Sequence, residues 1–173
     1  INIPEMIFAH LMSSTNYDKT EKKITGGKNG FGIKLVFIYS TWGKVETIDH
    51  RRGLKYTQEF KNNLSEICKP KITKTSSKKS YTKVHFKLDF ERFGLKGISN
   101  DIFNIFKKRA YDIAAITDMS LRVKFNNELI PIRTFRDYIN MYITPNEKRV
   151  FENIDRWEYC VCKTPVGEHS NVS

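Results

Sequence analysis

Gly26-Gly27-Lys28-Asn29-Gly30-Phe31-Gly32-Ile33-Lys34 is the stretch on which the reading of this chain turns. From Gly27 it runs G-x-x-G-x-G, and a nearly apolar run, Phe31–Tyr39, follows with Lys34 its one charged residue. That order predicts a buried helix opening on a glycine turn. Closely spaced glycines let backbone N–H groups converge on an anion without side-chain obstruction, and a helix N-terminus adds unpaired donors. Lys34 falls one turn into the helix, where its ammonium can meet a phosphate. Two familiar phosphate loops do not fit. The P-loop needs Gly-Lys-Ser/Thr after four spacer residues, and the dinucleotide fingerprint needs a preceding strand and a third glycine where Leu35 stands. By pattern alone, a phosphate cradle and a plain tight turn both stay open.

Outward from the glycines, Pro4–Met12 predicts a short apolar helix with Pro4 in its first turn. Polar Ser13–Lys28 predicts a loop. Val45–Asp49 and Lys55–Phe60 read as strands joined at Arg51-Arg52-Gly53, a hairpin signal. Lys71–Thr75 and Thr82–Phe90 are further strands. In the latter, Val84, Phe86 and Leu88 alternate with Lys83, His85, Lys87 and Asp89, which predicts one buried and one wet face. Ser99 caps a helix reaching about Thr117, with Ile102, Phe106, Ala110, Ile113 and Ala114 on one stripe. Leu121–Phe125 predicts a strand, Asn126-Asn127 a turn and Phe135–Tyr142 a helix. Pro145 marks a boundary, after which Trp157–Cys162 begins a strand of another domain. Helices and mostly antiparallel strands in this order predict a two-layer α/β sandwich of the α+β kind.

The chain has 173 residues, 39% hydrophobic and 13% aromatic, which excludes a disordered chain. No apolar run approaches the roughly 18 residues of a spanning helix, so no membrane partner is expected. Thirty Lys+Arg against nineteen Asp+Glu leave a net charge of +11. Such a charge draws polyanions by long-range, salt-screened attraction. Three cysteines, Cys68, Cys160 and Cys162, with no secretory signal point to a reducing, intracellular location rather than a disulfide framework. Cys160 and Cys162 share a strand face, but His169 is the one further ligand nearby, and no metal site is expected there. A start at Ile1 and a strand-like end, Asn171-Val172-Ser173, lead us to expect a piece of a longer protein.

Ser13-Ser14-Thr15-Asn16-Tyr17-Asp18 lies upstream of the glycines, and Glu21-Lys22-Lys23-Ile24-Thr25 runs into them. Here the chain resembles the eukaryotic-type (type IIA) DNA topoisomerase II in its GHKL, or Bergerat-fold, ATPase domain. In that family a Ser-Ser-Asn-Tyr-Asp stretch of the ATP lid leads into Glu-Lys-Lys-x-Thr-Gly-Gly-x-Asn-Gly-x-Gly-x-Lys-Leu. This chain matches it almost letter for letter, with Thr15 standing for a serine. The resemblance continues in Tyr81-Thr82, Arg109-Ala110-Tyr111-Asp112-Ile113-Ala114, Pro131 to Tyr142, and Arg156-Trp157-Glu158.

The resemblance implies the C-terminal half of a GHKL ATPase domain over residues 1–145, with its lid, and the start of a transducer domain over 146–173. It implies that Gly27, Lys28, Asn29, Gly30, Phe31, Gly32, Ile33 and Lys34 form the turn that cradles the phosphates of ATP. By the same resemblance Ser14, Thr15 and Asn16 contact ribose and phosphate, and Thr82 helps hold the adenine side. The implied cofactors are ATP and Mg²⁺, the ion held mainly by residues outside this chain. The implied partners are double-stranded DNA, through the parent protein, and a second copy of it. That parent would close a dimeric gate on ATP and pass one duplex through a break in another, in the nucleus of a cell, or in a host cell or virion if viral. The family's general-base Glu and Mg²⁺-binding Asn would precede Ile1, and its transducer lysine would follow Ser173. Glu59 and Asn63 match Glu-x-x-x-Asn, but they fall downstream of the lid at a strand end and read as coincidence. The alternatives are another GHKL ATPase, of gyrase-subunit or mismatch-repair type, and a basic nucleic-acid-binding module without enzymatic activity.

Overall fold

Pro4 sits in the first turn of α1 (Ile3–Ala9), where its missing N–H costs nothing. The computed structural model describes residues 1–18, 20, 27–144 and 147–163, and divides into two units, Ile1–Gly97 and Ile98–Ser173. In the first unit α1 and α2 (Gly32–Ile38) accompany five strands: β1 (Ser40–Asp49), β2 (Leu54–Lys61), β3 (Glu66–Ile67), β4 (Lys71–Lys74) and β5 (Tyr81–Leu88). The sheet is antiparallel in the order β3-β2-β1-β5, with β4 also on β2. Phe37 of α2 fills the core with Ala9, Val45 and Phe60, its ring 4.8 Å from that of Phe60. It lies directly over Gly43, where an added Cβ would collide with its ring.

Several expected boundaries move, each for a local reason. The first helix stops at Ala9 rather than Met12, because His10 is extended and Met12 takes φ +60°. β1 starts at Ser40 rather than Val45, its added residues pairing with both neighbours. On β5, Val84 packs on the core while Phe86 stays 48% exposed. Phe86 pairs with Gly43, and the space beneath that glycine belongs to Phe37.

In the second unit Ser99 caps α3 (Asn100–Ile116), its hydroxyl accepting from the Ile102 N–H at 3.3 Å. The hairpin β6 (Lys124–Phe125)–β7 (Glu128–Leu129) turns on Asn126 and Asn127, at φ +49° and +68°. A capping box of Thr134 and Asp137 opens α4 (Phe135–Ile139), and β8 (Arg149–Ile154) pairs with β9 (Trp157–Cys162). The buried side of α3 is Ala110, Tyr111, Ala114 and Ala115, packed on Ile130 and Ile132. Phe106 and Ile113, expected on that side, are about half exposed. Between the helices, Asp112 accepts from the Tyr138 hydroxyl at 2.6 Å and from Lys108 Nζ at 2.9 Å.

The predicted strand over 121–125 shortens to Lys124–Phe125, and the predicted helix over 135–142 to Phe135–Ile139. The boundary expected at 145 falls between α4 and β8, within the second unit. Pro145, His169 and Asn171–Ser173 lie outside the described residues. Among the described residues no helix is long and apolar enough to cross a membrane.

Candidate functional site

The glycine segment leads straight into α2, whose N-cap position is Phe31 and carries no side-chain cap. The first-turn N–H groups of a helix have no intrahelical acceptors, so this end of α2 presents donors. Gly30 just before it sits at φ +70°, a left-handed conformation in which a Cβ is disfavoured. A Cβ there would also come within 3.3 Å of both Lys34 Nζ and the Ser14 backbone nitrogen. Glycine is therefore required at position 30 twice over. Gly27 and Gly32 face open space.

Lys34 is the chemical centre of the segment. Its side chain folds back over the turn and Nζ donates to the Gly30 carbonyl at 2.6 Å and to Ser13 Oγ at 2.8 Å. The residue is 1% exposed, and among the described residues no carboxylate pairs with it. Both acceptors are neutral. Burial lowers the pKa of this ammonium from its ordinary value, because the charge has lost water without gaining an anion. A buried cation held by neutral oxygens at a glycine turn is a position that an anionic oxygen would stabilise.

Upstream residues close on the same turn. Asn16 Nδ2 donates to the Gly27 carbonyl at 2.5 Å, and the Tyr17 hydroxyl donates to the Asn29 carbonyl at 3.2 Å. Ser14 Oγ accepts from the Asn16 N–H at 3.1 Å, and Ser14 lies against Gly30. The structure thus brings Ser13 to Lys34, Ser14 to Gly30, Asn16 to Gly27 and Tyr17 to Asn29. Thr15 lies between Ser14 and Asn16 in sequence; Lys28, Phe31 and Ile33 belong to the turn and the helix start. Gly26 and Glu21–Thr25 lie outside the described residues.

Thr82 stands apart from this group. It is on β5 opposite Thr47, the two hydroxyl oxygens 3.0 Å apart, with no hydrogen bond to the glycine segment among the described residues. Ser13 and Tyr17 are the residues that sequence reasoning missed as parts of the site, although Ser13 adjoins the Ser-Thr-Asn run. Glu59 faces the opposite side of the sheet and pairs with Lys44 at 3.8 Å, while Asn63 donates to the Ile38 carbonyl and to Asp89. Neither touches the turn. Among the described residues no group of three or more His, Cys, Asp or Glu side chains could hold a metal ion.

The chain is 47% identical over 150 residues to DNA topoisomerase 2 of Saccharomyces cerevisiae, covering 86% of this chain and 10% of that protein. The chain is homologous to DNA topoisomerase 2. The enzymes of Arabidopsis thaliana and of Acanthamoeba polyphaga mimivirus match at 41% and 42%, over 100% and 99% of this chain and 12% and 14% of theirs. The chain therefore spans only about an eighth of the length of these topoisomerase relatives. No family model matches it. Among solved structures, the ATPase region of Saccharomyces cerevisiae topoisomerase II superposes with a TM-score of 0.83 at 44% identity, covering 90% of this chain and 41% of that one. The ATPase and transducer domains of DNA topoisomerase II from Balamuthia mandrillaris give 0.81 at 38%, over 90% and 40%. The mixed helix-and-antiparallel-sheet fold is that of the topoisomerase II ATPase region, which favours this reading over other GHKL ATPases and over a non-enzymatic module.

Proposed function

We propose that this chain is the ATP-lid half of the ATPase module of a type II DNA topoisomerase. In that reading residues 1–145 belong to the ATPase domain and 146–173 open the transducer. The parent protein uses ATP binding and hydrolysis to close a dimeric gate and pass one DNA duplex through another, inside the cell. The observation that carries the reading is Lys34, a buried ammonium with neutral acceptors alone, at a glycine turn beside an uncapped helix start.

The residues fit a phosphate. When bound, ATP supplies the phosphoanhydride whose cleavage drives the cycle. Gly30 and Gly32 leave its oxygens room, the N–H groups at the start of α2 donate to them, and Lys34 neutralises their charge. Ser13 holds the Lys34 ammonium in place from the other side, while Asn16 and Tyr17 pin the turn so that its donors need no reorganisation on binding. The resemblance assigns Ser14, Thr15 and Asn16 to ribose and phosphate contacts and Thr82 to the adenine side. By the topoisomerase resemblance, the Mg²⁺ ion and the general base are assigned mainly to residues outside this chain.

Lys34→Met in the full-length protein tests the reading. Loss of a charged hydrogen bond to phosphate is worth roughly 1.5–3 kcal/mol, more than about tenfold in Kd for a non-hydrolysable ATP analogue. Thermal stability should stay level or rise, because a buried charge without a counter-ion has been removed. A purely structural lysine would show the reverse: lower stability and unchanged analogue affinity.

A further inference from the structure

The positive charge of the chain is not spread evenly. Ile1–Gly97 holds nineteen basic against nine acidic side chains, a net of +10, so the other unit is close to neutral. Strand register shows where much of this charge goes. Tyr56, Gln58, Phe60 and Val45 face the helices. Residues of opposite parity form the other face of the sheet: Lys44 and Glu46 on β1, Lys55, Glu59 and Lys61 on β2, Lys83, His85 and Lys87 on β5, and Lys71 on β4.

Every glutamate on this face already has its own lysine. Glu46 pairs with Lys55 at 2.9 Å, Glu59 with Lys44 at 3.8 Å, and Glu66 of β3 with Lys61 at 3.8 Å. Those three lysines are half-buried. Lys71, Lys83 and Lys87 are exposed, and among the described residues none of them has an ion-pair partner. The centre of the face is thus neutralised and its two flanks are not. Lys83, His85 and Lys87 recur about every 6.7 Å along β5, beside a shallow depression of about 230 Å³ lined by Lys44, Glu46, Lys83 and His85.

We propose that this outer sheet face docks the phosphodiester backbone of duplex DNA through Lys71, Lys83 and Lys87. The inference rests on the topoisomerase reading for the identity of the polyanion, but it concerns a surface remote in sequence and in strand face from the nucleotide turn. A row of point charges on a rigid sheet suits a repeating anion. Lysine without base-reading Arg, Asn or Gln gives positioning rather than sequence selectivity. A membrane surface fits less well, since the exposed flanks of the face are lysines and its apolar side chains Ile48 and Trp42 are buried and half-buried, leaving no aliphatic side chain free for insertion. An acidic peptide fits less well too, because the bidentate arginines that such motifs use are absent from the three flanking cations.

The test uses the full-length protein with Lys71, Lys83 and Lys87 all changed to Gln. Each phosphate contact contributes about 0.9 to the slope of log K against log salt, so losing three should flatten that slope for duplex DNA by about 2.7. In parallel, acetylation of Lys71, Lys83 and Lys87 in the unsubstituted protein should slow several-fold with duplex DNA at low salt and recover at high salt. An unchanged slope would overturn the proposal. So would protection by polyglutamate or anionic vesicles but not by DNA. Binding of an ATP analogue is measured on the same variant and should not change. Its loss in Lys34→Met bears on the nucleotide site alone, so failure of one reading is separable from failure of the other.

Discussion

At Gly30 and Gly32 two glycines of one motif have different reasons to be there. Gly30 is held at φ +70° with Lys34 Nζ and Ser14 against it, whereas Gly32 begins a helix and faces open space. Gly30→Ala should therefore cost about 1 kcal/mol or more in stability, from the strained φ, and displace Lys34. Gly32→Ala should leave the melting temperature unchanged or slightly raised. Equal stabilities for the two variants would contradict the turn geometry. Lys34 gives a second test at this scale. Burial lowers its pKa in the free protein, and a bound phosphate would raise it again. Between those two values binding takes up a proton, so analogue affinity should fall as pH rises through them. Calorimetry in buffers of different ionisation enthalpy should register the uptake in the natural protein and not in Lys34→Met.

The elements show how much was legible in the sequence. The turn-plus-helix at Gly27–Ile38, the hairpin at Arg51–Gly53, the Ser99 cap and the Asn126-Asn127 turn all carry strong local signals, and all are present. What local pattern could not supply was tertiary choice. α3 carries apolar residues on more than one side, and the side that packs is the one whose small Ala114 and Ala115 let Ile130 and Ile132 approach. β8 escaped notice because Arg149, Glu152 and Asn153 break its apolar alternation. Ser13 escaped because its role depends on Lys34 folding back across twenty-one positions. Asp112 shows the same dependence on tertiary contact. Burial pushes its carboxyl up, yet the hydrogen bonds from Tyr138 and Lys108 outweigh this and its pKa is lowered. Stability from this contact is therefore present above the unfolded carboxylate pKa and lost as pH falls through the lower folded value. Tyr138→Phe should cost about 1 kcal/mol near neutral pH, and the difference from the natural protein should shrink in acid; a pH-independent difference would assign the loss to packing.

At the scale of the whole chain, the phosphate cradle is described without the groups that would use it. Hydrolysis needs a base for the attacking water and charge stabilisation at the γ-phosphate. In the first unit most described carboxylates are committed elsewhere: Glu5 to Gln58, Asp18 to Thr20, Glu46 to Lys55, Asp49 to Arg52, Glu59 to Lys44, Glu66 to Lys61, and Asp89 to Asn63. None is bonded to the glycine turn. Large apolar side chains are exposed in the second unit as well, among them Phe103, Ile105, Phe106 and Ile116 of α3 and Val150, Trp157 and Val161 of the β8–β9 hairpin. Large contiguous apolar patches are rarely left open in soluble monomers, and the matched ATPase region of yeast topoisomerase II is more than twice as long. The 173-residue chain expressed by itself should accordingly self-associate, as read by light scattering, and release no phosphate from ATP above the spontaneous background. Absence of a general base alone removes about 10²–10⁴ in rate, well within the sensitivity of a phosphate assay run beside the full-length protein. Turnover by the isolated chain within tenfold of the full-length value would place the base among these residues, and Glu59→Gln would be the first variant to make.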